Sequence, residues 1–133
     1  MSQENVELVR GGYEAFAEGD TDTVLSLLDP DITLEERERT LDTPSIYHGA
    51  QGLVDMIAAV NEGIEDVEYS PERFFDAGDL VLVEVRRKGR GSLSGAPVER
   101  WQFHIWDIVE GRAIRFRTYA DRREALEAAG LRE

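Results

Sequence analysis

Residues 99–131, ERWQFHIWDIVEGRAIRFRTYADRREALEAAGL, decide the fold class of this chain. The run from Val98 to Val109 alternates with the period of a strand. It puts Trp101, Phe103 and Ile105 on one face and Gln102, His104 and Trp106 on the other. Glu110-Gly111 is a two-residue turn in which the glycine takes positive φ. Residues 112–119 then return as the partner strand, with Ile114 and Phe116 on one side and Arg115, Arg117 and Tyr119 on the other. Asp121 caps a final helix, and Glu124 three residues later completes the capping pattern. Gly130 fits the left-handed position after that helix, where Leu131 can fold back on Leu126.

Upstream the same period continues. Leu80 to Arg90 alternates, with Val81, Val83 and Val85 on one face. A strand near 66–76 precedes it across an Ala77-Gly78-Asp79 turn. The four strands make a meander. Helical spacing dominates the first half: Val6, Val9, Tyr13 and Phe16 form one stripe over residues 3–18, interrupted by Gly11-Gly12. Gly19 closes that helix, and Asp20 caps a second one over 21–28. Residues 31–36 read as a short strand with Ile32, Leu34 and Glu36 on one face. Residues 37–49 read as a polar excursion. Leu53, Met56, Ile57 and Val60 mark a third helix over 51–62. Helices and strands that segregate in this way indicate an α+β fold: three N-terminal helices packed on a curved antiparallel sheet, a cone-shaped barrel with a short C-terminal helix.

At 133 residues the chain is one domain, residues 1–133. It has no cysteine, so disulfides and thiolate chemistry are excluded. MSQENVELVR lacks a basic-then-apolar leader, and no apolar run approaches a membrane span, so a cytoplasmic protein is expected. The net charge is −13 and uneven. Residues 1–70 carry 17 acids and 3 bases, residues 71–133 carry 11 acids and 12 bases. Such a chain is repelled by nucleic acid and by anionic membranes. Arg86, Arg87, Lys88 and Arg90, then Arg112, Arg115 and Arg117, could form a local basic stripe, but against the acidic net charge they read as a solvated or dimer-facing sheet surface.

Several local patterns together resemble the SnoaL-like proteins of the nuclear transport factor 2-like superfamily, which also holds ketosteroid isomerases, polyketide cyclases and epoxide hydrolases. They are Tyr13-Glu14-Ala15-Phe16 with Gly19-Asp20, Asp29-Pro30-Asp31, Tyr47-His48-Gly49, His104-Ile105-Trp106, Glu110-Gly111-Arg112, Tyr119-Ala120-Asp121-Arg122 and Ala125 to Leu131. The resemblance implies a pocket between helices and sheet, and a homodimer. It also implies a general base at the end of the first strand, which falls on Glu36. A carboxylate at the mouth of an apolar pocket has its pKa raised by desolvation, which suits base catalysis. The resemblance further turns His104 toward the cavity, where it would polarise a ligand oxygen. The isomerases' first-helix tyrosine falls nearer Gly12, and Tyr13 is about 100° around the helix from it. The chain departs from the cyclases, because Arg117-Thr118-Tyr119 holds no acid. It departs from the epoxide hydrolases as well, since Arg100 and Gln102 echo their set without the acids.

The reading is therefore a protein that binds a small hydrophobic, carbonyl-bearing molecule and turns it over by acid/base chemistry as an isomerase, cyclase or hydrolase. Glu36 and His104 are the catalytic candidates, and Tyr13, Phe16, Gln102, Trp106 and Tyr119 the ligand-binding ones. No cofactor or metal is expected, because two distant histidines, His48 and His104, make a poor metal site. The competing reading is a non-catalytic ligand-binding or dimerisation module.

Overall fold

The meander forms around its turns. Glu110 and Gly111 both take positive φ, 50° and 78°, so the two-residue turn is of the primed type that matches strand twist. The computed structural model describes residues 2–37 and 45–132. In chain order the elements are α1 (Ser2–Ala17), α2 (Thr21–Ser26), β1 (Leu28–Glu36), β2 (Ser45–His48), α3 (Gly49–Gly63), β3 (Ile64–Ala77), β4 (Leu80–Gly91), β5 (Pro97–Val109), β6 (Arg112–Tyr119) and α4 (Arg122–Ala128). The Asp121 carboxylate accepts from the backbone N–H groups of Arg123 and Glu124 at the start of α4. At its end, Leu131 N–H donates to the Leu126 carbonyl and Gly130 N–H to that of Glu127, with Gly130 at φ 75°. These are the two bonds of a Schellman cap.

The α+β class holds, and three details are corrected. First, the sheet is six-stranded and mixed, in the order β2-β1-β6-β5-β4-β3. β1 runs antiparallel to β2 but parallel to β6. The chain leaves the β1–β2 hairpin, crosses to the far edge through α3, and meanders back until β6 arrives beside β1. Second, β2 and β3 are unjoined edges, so the sheet is not a closed barrel. Third, only α1 and α2 precede the sheet, and α2 is six residues long with no buried side chain. Of the polar excursion expected over 37–49, residues 38–44 lie outside the described residues, and its far end is the strand β2.

The sheet has a core on each face. Ile32, Leu34, Val81, Val83, Val85 and Phe116 meet α1 and α3 on one side. Leu82, Phe103, Ile105 and Tyr119 meet Ala125 and Leu126 of α4 on the other. Ile32, Leu34, Val81, Leu82, Val83, Val85 and Ile105 are fully buried, each contributing roughly 1.5–3 kcal/mol. Charged residues fringe the α4 face: Glu35 pairs with Arg115 at 2.7 Å and Arg37 at 3.0 Å, and Glu84 with Arg122 at 2.7 Å. A bulge interrupts the last hairpin. Asp107 faces Arg115 and Ile108 faces Ala113, which leaves Ile114 as the extra residue. Ile114 is therefore exposed, and Ala113 is the buried one.

Candidate functional site

An apolar cavity of about 120 Å³ lies between the helices and the sheet. Each helix supplies wall from its sequence-legible stripe: Val9, Tyr13 and Phe16 from α1, Val24 from α2, and Leu53, Met56, Ile57 and Val60 from α3. Gly12 leaves bare backbone at the wall.

The sheet supplies the floor in rows, because cross-strand partners lie side by side. One row reads Leu34, Phe116, Trp106, Val81. The next reads Glu36, Thr118, His104, Val83. Glu36, Thr118 and His104 all line the cavity. Neighbouring strands stand about 4.8 Å apart, so the backbones of Glu36 and His104 are roughly 10 Å apart with Thr118 between them. One small molecule over Thr118 can touch both side chains.

Four polar side chains are wired together on this floor. Trp106 Nε1–H donates to the Tyr13 hydroxyl at 2.9 Å. That hydroxyl is 2.6 Å from His104 Nδ1, and His104 Nε2 is 3.0 Å from Gln102 Oε1. Gln102 Oε1 can only accept, so His104 carries its proton on Nε2 and takes the Tyr13 proton at the Nδ1 lone pair. The chain of donors therefore runs Trp106 to Tyr13 to His104 to Gln102, with a neutral imidazole. Desolvation, reinforced by the positive charge of Arg87, pushes the His104 pKa down to about 3. Burial pushes the Tyr13 phenol well above its ordinary value, against the opposing hydrogen bond from Trp106. Phe116 packs edge-on against His104 at 5.0 Å between centroids and tilted against Trp106 at 4.3 Å.

Of the candidates from sequence, Glu36, His104, Tyr13, Phe16, Gln102 and Trp106 all line this one cavity. Tyr119 does not. It pairs with Phe103 and packs under α4 on the opposite face. Its parity with Arg117, rather than with Phe116 and Thr118, already carried that signal. Sequence reasoning missed Thr118, Tyr69 and Arg87, which also line the cavity. Arg87 was read as solvated surface, yet it is only 7% exposed. The signal was its place at the end of the Val81, Val83, Val85 stripe. Arg86, on the other face, pairs with Glu99 at 3.3 Å.

The family model for the SnoaL-like domain matches residues 9–116. A protein of unknown function from Burkholderia pseudomallei, described as NTF2-like, is 26% identical. The match covers 92% of this chain and 95% of that one, with a TM-score of 0.75. TerC, co-crystallised with polyporic acid, is 25% identical over 95% of this chain and 98% of that one, at a TM-score of 0.74. IdmH, a candidate polyketide cyclase from Streptomyces antibioticus, is 22% identical over 94% and 97%, at 0.70, and shares the fold. No curated protein sequence matches the chain.

Proposed function

The chain belongs to the SnoaL-like domain family, and on that premise we propose that its cavity binds a small hydrophobic carbonyl compound and moves a proton on it. The observation that carries this reading is the row Glu36, Thr118, His104 across the floor of a largely apolar cavity in which Glu36 is the one carboxylate among the described residues. In the step proposed, Glu36 takes a proton from the carbon next to the carbonyl. The C–H electron pair becomes a C=C bond as the carbonyl π pair moves onto oxygen, giving an enolate, and Glu36 exchanges its proton with solvent and returns one to carbon. This is general base catalysis by a half-buried carboxylate. His104 has no free nitrogen for the ligand in this arrangement, so its part is positioning. It orients the Tyr13 hydroxyl and fixes the Gln102 amide with its NH2 group turned away from the imidazole. TerC's co-crystallisation with polyporic acid supports a ligand of this general kind. The outer sheet face, where Ile46 and Trp101 are exposed, is our candidate for pairing with a second copy. Sedimentation analysis reads that directly.

The test is deuterium exchange at the α-carbons of cyclohexanone, followed by NMR, in wild type and in Glu36→Gln. Wild type is expected to accelerate exchange, and the variant to lose about 10²–10⁴ of that rate while still binding the ketone. Equal exchange in both proteins overturns the base assignment. Binding without exchange in either protein supports the non-catalytic reading, for which the fully engaged His104 is the favouring observation.

A further inference from the structure

An enolate needs a donor for its oxygen, and most polar groups around the cavity are already engaged. Trp106 Nε1–H is given to Tyr13, the Tyr13 proton to His104, and the His104 Nε2 proton to Gln102. Tyr69, Arg87 and Gln102 each have an interaction partner within the protein. Thr118 is different. It is 5% exposed, lines the cavity, and stands between Glu36 and His104 in the row across the floor. A threonine hydroxyl has two lone pairs and one proton to give. Its oxygen accepts from the backbone N–H of Arg37 at 3.3 Å. That is the side chain's one hydrogen bond among the described residues, so its proton has no acceptor there. A buried O–H without an acceptor is costly, and valine would fill the same space without that cost.

The hydroxyl is also held on the right side of the row. The Arg37 N–H that reaches Oγ1 donates to the Thr118 carbonyl as well, at 3.1 Å. This shared bond draws the hydroxyl toward β1, the strand that carries Glu36. In a ketone the oxygen and the α-carbon are roughly 2.4 Å apart, about half the 4.8 Å between neighbouring strands. A ketone with its oxygen on Thr118 can therefore turn its α-carbon to Glu36 in the next strand.

We propose that the Thr118 hydroxyl donates to the ligand's carbonyl oxygen and stabilises the charge that gathers there, which makes Thr118 a catalytic residue beside Glu36. As Glu36 takes the α-proton, the C–H pair becomes a C=C bond and the carbonyl π pair moves onto oxygen. Thr118 keeps its own proton throughout, because an alcohol is a weaker acid than an enol. Its hydrogen bond strengthens as the oxygen becomes negative, so it favours the transition state over the bound ketone. This rests on the cavity being a ligand site, as proposed above, and adds the group that meets the oxygen, the part first expected of His104.

Cyclohexanone is the probe, with wild type, Thr118→Val and Thr118→Ser. Valine suits a strand, and the backbone bond from Arg37 N–H to the carbonyl at 118 survives the change, so the variant should fold. The first readout is the carbonyl stretching band of the bound ketone, which a donated hydrogen bond moves to lower frequency. It is expected lower in wild type and in Thr118→Ser than in Thr118→Val. The second is deuterium exchange at the α-carbons, expected to fall about 10²–10³-fold in Thr118→Val, the effect of removing one such donor, and to recover in Thr118→Ser. An identical band in wild type and Thr118→Val overturns the proposal, whatever the exchange rate does. A band that differs, with no exchange in wild type, supports the Thr118 contact and overturns Glu36 as the base. If wild type binds no cyclohexanone, both fail. Should Thr118→Val not fold, Thr118→Ala is read in the same way.

Discussion

Acidification should weaken this protein earlier than its carboxylates alone would, and His104 is the reason. The unfolded chain takes up a proton on this imidazole near its ordinary value of 6.5, whereas the native protein holds it off until about 3. A depressed native pKa means that the stability is fully present above 6.5. It is lost as the pH falls through that value, and the loss continues to about 3. The slope is one proton, about 1.4 kcal/mol per pH unit, so about 2 kcal/mol disappears between 6.5 and 5. The carboxylates with lowered values act lower down. Burial alone would raise Glu35, but hydrogen bonds from Arg115 and then Arg37 outweigh it, so Glu35 sits below its ordinary 4.5. Asp20 sits below 3.8, held there by its hydrogen bonds to Thr23. The window from 6.5 to 5 therefore isolates the histidine. The assay is urea unfolding of wild type and His104→Asn at pH 7 and pH 5, followed by tryptophan fluorescence. For a domain of this size, 2 kcal/mol moves the midpoint by roughly 1 M. Self-repulsion from the net charge of −13 relaxes on acidification in both proteins and cancels in the difference. A variant whose midpoint changes with pH as much as the wild type's refutes a neutral, buried His104.

Other outcomes follow from single contacts. Tyr13→Phe strands His104 Nδ1 and Trp106 Nε1–H, and should cost about 1–3 kcal/mol for each in urea unfolding. Gly89→Ala would put a Cβ 2.5 Å from Ile64 Cγ2 and 2.8 Å from the Glu65 carbonyl. The β3–β4 edge must shift, and a loss of about 1–3 kcal/mol in thermal unfolding is expected. Gly130→Ala forces a side chain onto φ 75° in the α4 cap and should cost about 1–2 kcal/mol, read in the same way. Arg115→Met removes the stronger partner of Glu35, so the Glu35 carboxyl should titrate at higher pH in a carbon-detected NMR titration.

Legibility in the sequence followed the range of the interaction. The β5–β6 turn, the α4 caps and the α1 and α3 stripes are set by residues within a few positions of one another, and all were readable. β2 was not, because Ser45-Ile46-Tyr47-His48 is too short for its alternation to rise above a loop. β1 begins at Leu28, earlier than the expected Asp31, because Pro30 argues against a strand. The structure tolerates Pro30 because β2 pairs only with residues 33–36, and the β1–β6 register shifts between Leu28 and Thr33. The parallel sense of β1 against β6 leaves no trace in periodicity. In the site, alternation alone put Gln102, His104 and Trp106 on one face. The parity Tyr119 shares with Arg117 sets it on the α4 face. Arg87 was overlooked because a charged run normally marks a solvated face.

The parallel contact of β1 with β6 also sets an order of events during synthesis. Leu34 meets Phe116, and the Tyr13 hydroxyl meets His104 across 91 residues of chain. Closing so long a loop is entropically slow, and non-local pairing of this kind slows folding as a whole. On the ribosome, α1 emerges well before β3 and β4, the strands it packs on, and the β1–β2 hairpin has no β6 to join until the rest of the sheet has followed it out. The nascent chain must therefore carry an unmet apolar stripe, Val6, Val9 and Tyr13, until β3 and β4 have emerged, and the Tyr13 hydroxyl waits longer, for His104. The strongly acidic first seventy residues, by mutual repulsion, are suited to keeping that waiting segment apart from its neighbours.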